Sequence, residues 1–173
     1  MDRLFDVLIA VLPSLVVFLT AFYIIKRFID NEQKRHWMEI KGENQKSVTP
    51  IRLQAYERIA IFLERIAPSS LIIRSHKTGM SARTMQSELL KTIRSEYEHN
   101  VAQQIYMSSS AWKAIKSAKE ETIKLINIAS TKISDDASGT ELGRVILELS
   151  GQLEQTPSDF ALDFIKREIK ALF

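Results

Sequence analysis

Nineteen consecutive residues, Val7 to Ile25, carry no charge, and they are bounded by Asp6 and Lys26. No other feature limits so strongly what this chain can fold into. A helix rising about 1.5 Å per residue would carry the run across roughly 28 Å, close to the apolar thickness of a bilayer, about 30 Å. Thirteen of the nineteen are Leu, Ile, Val or Phe. At roughly −0.3 to −0.6 kcal/mol each, they favour insertion by about 4 to 8 kcal/mol before polar terms are counted. Pro13, Ser14 and Thr20 offset part of that, and a proline is tolerated in a membrane helix where a soluble one would break. The expectation is a transmembrane helix over residues 7–25 behind a short tail, residues 1–6.

A cleaved signal peptide fits less well. It needs a positive leading segment, a shorter apolar run and a small-residue cleavage site. Here Asp2 and Asp6 counter Arg3 and the terminal amine, and no Ala-x-Ala pattern follows the run. A buried core helix could be this apolar, but rarely for so long without a charge. Flanking cations set the expected orientation. Lys26, Arg27, Lys34 and Arg35 follow the run closely, whereas only Arg3 precedes it, so the bulk of the chain should face the cytoplasm. Tyr23 is placed to anchor at the interface, and Trp37, further out, reads as a packing residue.

The remainder reads as helical. The chain has only five glycines and four prolines, too few for many tight turns. Without cysteine, disulfides and thiolate zinc sites are excluded. Residues 26–48 are polar and rich in helix formers, which suggests a stalk. Thr49 and Pro50 read as an N-cap and first helical residue opening a domain over residues 49–173. In the helix that follows, Ala55, Ile59, Phe62 and Ile66 share a face. Within it, Glu57-Arg58-Ile59-Ala60 recurs as Glu64-Arg65-Ile66-Ala67, a seven-residue echo too short to establish a coiled coil. Pro68 ends the helix. Leu71 to Arg74 is open between an extended piece and a helix start, and Lys77 to Gly79 is a turn.

Ser81 then caps a helix to about Glu98, with Met85, Leu89, Ile93 and Tyr97 on one stripe. A helical piece follows a break near His99. Ser109 or Ser110 caps the next helix, which runs to about Ile133 with Trp112, Ile115, Ala118, Thr122, Ile126 and Ala129 aligned. After a loop from Asp135 to Thr140, Glu141 to Glu154 forms a helix. Thr156-Pro157 opens the last one, with Asp159 placed to cap reciprocally. The fold class expected is therefore all-α: one transmembrane helix, then a cytoplasmic bundle of about five helices.

The segment Arg52-Leu53-Gln54-Ala55-Tyr56-Glu57-Arg58 with Phe62-Leu63-Glu64-Arg65-Ile66, and the later Glu96-Tyr97-Glu98-His99-Asn100 with Gln103-Gln104-Ile105-Tyr106, resembles a family of small uncharacterised bacterial membrane proteins. The resemblance extends over nearly the whole chain. It implies a single-pass anchor and a helical cytoplasmic domain, and it implies no activity.

No catalytic set stands out. Glu96-x-x-His99 has the spacing that puts a carboxylate and an imidazole on one helix face, as in di-iron bundles, but those sites need a second such motif and two further carboxylates. This leaves a carboxylate–histidine metal enzyme as an alternative reading, and a cation at His99 near a helix end is the plainer one. There is no Gly-x-Ser-x-Gly elbow and no glycine-rich phosphate loop. From Lys26 to Arg94 there are 14 Lys and Arg against 7 Asp and Glu. A membrane surface accounts for that excess without nucleic acid, because Arg83, Lys91 and Arg94 are spread too widely for a recognition helix. No cofactor, metal or small-molecule substrate is indicated. Partner contact is expected at Arg52, Tyr56, Glu57, Arg58, Glu64 and Arg65, since Arg and Tyr are favoured interface anchors. The function expected is a membrane-tethered helical module that binds a protein partner or itself, or an accessory subunit of a membrane complex.

Overall fold

The computed structural model describes residues 2–172, with their side chains at 12–38 and 46–171. Among the described residues there are seven helices, which make up 86% of the chain, and no strand. In chain order they are α1 (Asp2–Ile66), α2 (Pro68–Ser75), α3 (Ala82–Asn100), a short 3-10 helix (Val101–Tyr106), α4 (Ser109–Ser130), α5 (Gly139–Gly151) and α6 (Pro157–Leu172). The chain divides between Thr49 and Pro50 into two compact units.

The first unit is α1 up to Thr49. Leu12–Met38 holds an 18-residue window apolar enough to cross a membrane, with a mean hydropathy of 1.7, and no described residue of it is buried. It overlaps the expected span over residues 12–25; the side chains of Val7 to Val11 lie outside those described. Inside the span the Thr20 hydroxyl donates to the Val16 carbonyl at 2.8 Å, which satisfies that donor within the helix itself. The Arg27 guanidinium stands over the Tyr23 ring, 5.8 Å from its centroid. Trp37 is exposed, not packed as the sequence suggested.

Thr49 and Pro50 do not open a new helix, because α1 runs through them. Proline removes a single backbone bond, and helix formers on both sides carry the helix past it.

The second unit is built around the end of α1. Tyr56, Ile59, Phe62, Leu63 and Ile66 are fully buried there and meet Leu71 of α2, Met85, Leu89 and Ile93 of α3, Ile115 and Ile126 of α4, Leu142 and Ile146 of α5, and Ile165 of α6 in one core. Burying a side chain of this size stabilises by about 1.5 to 3 kcal/mol. In this unit α4 packs on α3, α5 and α6, while α2 packs on α3 and α5.

Local signals set the helix ends. The run Leu71–Arg74 lies within α2, whose first turn holds Pro68. Gly79 turns the chain with φ +80°, a left-handed conformation that suits glycine. Ser81 caps α3 by accepting from the Thr84 amide at 3.2 Å. The cap of α4 is Ser108, one residue before the expected serines, accepting from the Ala111 amide at 3.0 Å. Ser138 caps α5, which starts inside the expected loop. Thr156 accepts from the Asp159 amide at 3.2 Å, the cap anticipated from sequence, while the Asp159 carboxylate takes the Thr156 hydroxyl at 2.6 Å and not the Thr156 amide that a reciprocal cap would use.

The starts of α3 and α5 are clasped to each other. The Ala82 amide donates to the Ala137 carbonyl at 2.9 Å, and the Gly139 amide to the Met80 carbonyl at 2.7 Å. A Cβ at Gly139 would lie 3.0 Å from that same carbonyl oxygen, so any larger residue would have to push the clasp apart.

Candidate functional site

The six residues singled out on α1 separate into two groups. Arg52, Tyr56 and Arg65 are committed to contacts within their own domain. Glu57, Arg58 and Glu64 are exposed and make no ion pair or hydrogen bond among the described residues.

Tyr56 belongs to a polar cluster at the α1–α6 contact. Its ring is buried, and its hydroxyl donates to Glu168 Oε1. The same oxygen accepts from the Ser108 amide at 3.2 Å, and Oε2 accepts from the Ser108 hydroxyl. Arg52 donates through Nε to the Tyr106 carbonyl at 3.1 Å. One carboxylate thus ties α1, the entrance to α4 and α6 together. Burial, with the hydrogen bond to Glu168 second, pushes the Tyr56 phenol up to about 12. Burial acts to raise Glu168 too, but hydrogen bonds from Ser108 and Tyr56 and the charge of Arg52 outweigh it and hold the carboxyl below its ordinary value.

Arg65 belongs to a second cluster, centred on Glu96 of α3. Glu96 Oε1 receives Arg65 Nη2 at 2.6 Å and Arg74 Nη2 at 3.1 Å. Arg74 also donates to the Arg65 carbonyl at 3.4 Å, closing α1, α2 and α3 on one another. Again burial alone would raise the carboxyl, and the two guanidinium groups prevail, so it lies below the usual range. This engagement bears on the metal reading of Glu96 and His99. A carboxylate held by two arginines is a poor ligand, and His99 is exposed. Among the described residues no group of three His, Asp or Glu side chains could hold a metal ion.

Basic side chains at and just after the end of α2 are engaged as well. Arg74 serves Glu96, and the His76 Nε2 lies 3.1 Å from the Thr140 hydroxyl. Further along α3, Tyr97 stacks on Trp112 with centroids 5.7 Å apart, and Lys119 Nζ stands 4.3 Å from the Tyr97 centroid.

Sequence reasoning did not find the open groove between α2 and α5. It measures about 600 Å³ and is lined by Ile72, Ile73, Gly143 and Leu147, with His76 and the Arg144–Glu148 pair (2.5 Å) at its rim. Its walls come from the short α2, which no periodic pattern announces.

A family model described as a family of unknown function (DUF7935) matches residues 2–172. The chain belongs to that family. The match includes both units, so membership takes in the apolar helix and the helical domain together. No curated protein and no solved structure matches the chain.

Proposed function

We propose that this member of the family is a membrane-tethered helical interaction module, with Pro50 onward in the cytoplasm and a protein partner at its surface. The observation that carries this reading is the apolar window within Leu12–Met38, no part of which is buried. An uncovered apolar helix of that length is costly in water and favoured in lipid. The helical domain supplies the second half of the reading. Its half-buried carboxylates are engaged by arginine, tyrosine and serine in contacts that join helices, which is structural work, while Glu57, Arg58 and Glu64 stand free on α1. Lys26, Arg27, Lys34 and Arg35 support a cytoplasmic side for the domain and would meet anionic headgroups, each contributing roughly 1 kcal/mol.

The test is fractionation of cells expressing the full chain, followed by protease treatment of sealed vesicles of known sidedness. The chain should resist alkaline extraction, and residues after Lys26 should be cut only from the cytoplasmic face. Recovery of the intact chain in the aqueous extract would remove the tether. Mass measurement of the detergent-solubilised chain then separates self-association from membership in a larger complex, which would bring a second polypeptide in fixed proportion.

A further inference from the structure

We infer that the exposed face of α1 over residues 53–65 pairs in parallel with the same face of a second copy of this chain, around Ile61. This names the partner in the function proposed above and rests on that reading for the tether that brings two copies together.

The buried stripe of this segment turns Tyr56, Ile59, Phe62, Leu63 and Ile66 into the domain core. Opposite lies an arc with no covering element: Leu53, Gln54, Glu57, Arg58, Ile61, Glu64 and Arg65 are all exposed. Ile61 sits at its centre, 50% exposed. At about 100° per residue, Glu57 and Glu64 fall about 40° and 60° to one side of Ile61, and Arg58 and Arg65 about 60° and 40° to the other. The sequence echo thus becomes a face with an acidic flank and a basic flank.

That segregation of sign fixes both the partner and its direction. When two identical helices pair in parallel, the left flank of one meets the right flank of the other. Glu57 then comes opposite Arg58 of the second copy and Glu64 opposite Arg65, twice over by symmetry. An antiparallel pair brings like flanks together in any register, and one centred near Ile61 sets Glu57 against Glu64 and Arg58 against Arg65. Arg65 already serves Glu96 but is 46% exposed, and its guanidinium has donors left over. Exposed ion pairs are individually weak. Confinement of both copies to one membrane supplies the effective concentration that such a contact needs.

The chain contains no cysteine, so single cysteines report contacts without background. The full chain carrying Ile61→Cys or Gln54→Cys would be oxidised in native membranes. A parallel in-register pair gives disulfide-linked dimers at both positions. Added to Gln54→Cys, Glu57→Arg and Arg58→Glu should each lower the yield severalfold, and co-expression of the two charge variants should restore it in the mixed dimer. Both charged residues are exposed and unengaged, so folding is not at stake; circular dichroism of each variant verifies this. Linkage at Ile61→Cys without linkage at Gln54→Cys would mean an antiparallel pair and overturn the inference. So would linkage at neither position, or charge variants that leave the yield unchanged or fail to rescue each other. Flotation of the same membranes in a density gradient reads the tether separately. A chain that floats but does not cross-link sinks the pairing alone; one that cross-links but stays at the bottom sinks the tether alone.

Discussion

At the scale of single residues, carboxylates do the joining. Glu168 and Glu96 both have folded-state values below 4.5, so the ionised forms are the ones the fold favours. Their contribution is therefore fully present above about pH 4.5 and is lost as pH falls through the folded values. Tyr56 runs the other way. Its phenol is raised from 10.0 to about 12, so its contribution is full below pH 10 and fades as pH rises from there towards 12. Glu168→Gln should lower stability at neutral pH by about 1.5 to 3 kcal/mol, the range for hydrogen bonds to a charged group. The gap between wild type and variant should shrink as pH drops below 4.5, read from unfolding midpoints at several pH values. A gap as wide at pH 3 as at pH 7 would mean that the ionised carboxylate is not what matters. Nothing in the sequence marked Glu168. It lies 112 residues from Tyr56, and only the folded chain brings the two together. Tyr56 and Arg52, by contrast, stood out as residue types favoured at interfaces, and both make contacts inside their own domain.

Helices are the scale at which the sequence was most legible, because caps and stripes are local. Ser81 and Thr156 cap as read, and the stripes through Met85, Leu89 and Ile93 and through Trp112, Ile115 and Ala118 are the ones that pack. Three neighbouring serines at 108–110 could not be told apart by cap chemistry alone. The choice falls on Ser108 because its hydroxyl also reaches Glu168, a contact from another element. Ser108→Ala therefore removes a cap and a charge-assisted hydrogen bond at once, at about 3 kcal/mol, whereas Ser81→Ala removes a cap at about 1 kcal/mol. The order of their urea midpoints checks this, and equal losses would mean that the Glu168 contact contributes nothing. Glycine at the start of α5 was also missed, since a close approach leaves no trace in a pattern of apolar residues. Gly139→Ala should destabilise by about 1 to 3 kcal/mol despite alanine's better helix propensity. Its Cβ would press on the Met80 carbonyl and the Met85 sulfur, 3.0 and 3.1 Å away. A rise in the thermal midpoint on this substitution would show that the clasp between α3 and α5 has room to yield.

For the molecule as a whole, the question is whether the two units depend on each other for folding. Every member of the hydrophobic core lies at or after Tyr56, and both polar clusters lie wholly within the second unit. The first unit carries the exposed apolar window, and none of its described residues is a member of that core. A fragment of residues 48–173 should then fold alone. Pro50, which α1 merely tolerates in mid-helix, becomes a first-turn residue there, behind Thr49, a residue type suited to capping. The Thr49–Pro50 signal that the full chain overrides would thus be used in the fragment. The fragment should be aqueous, strongly helical by circular dichroism, and cooperative in urea, with the Glu168→Gln and Ser108→Ala losses reproduced at similar size. If it is instead molten, the helix before Pro50 supplies order that the core of the second unit cannot supply by itself.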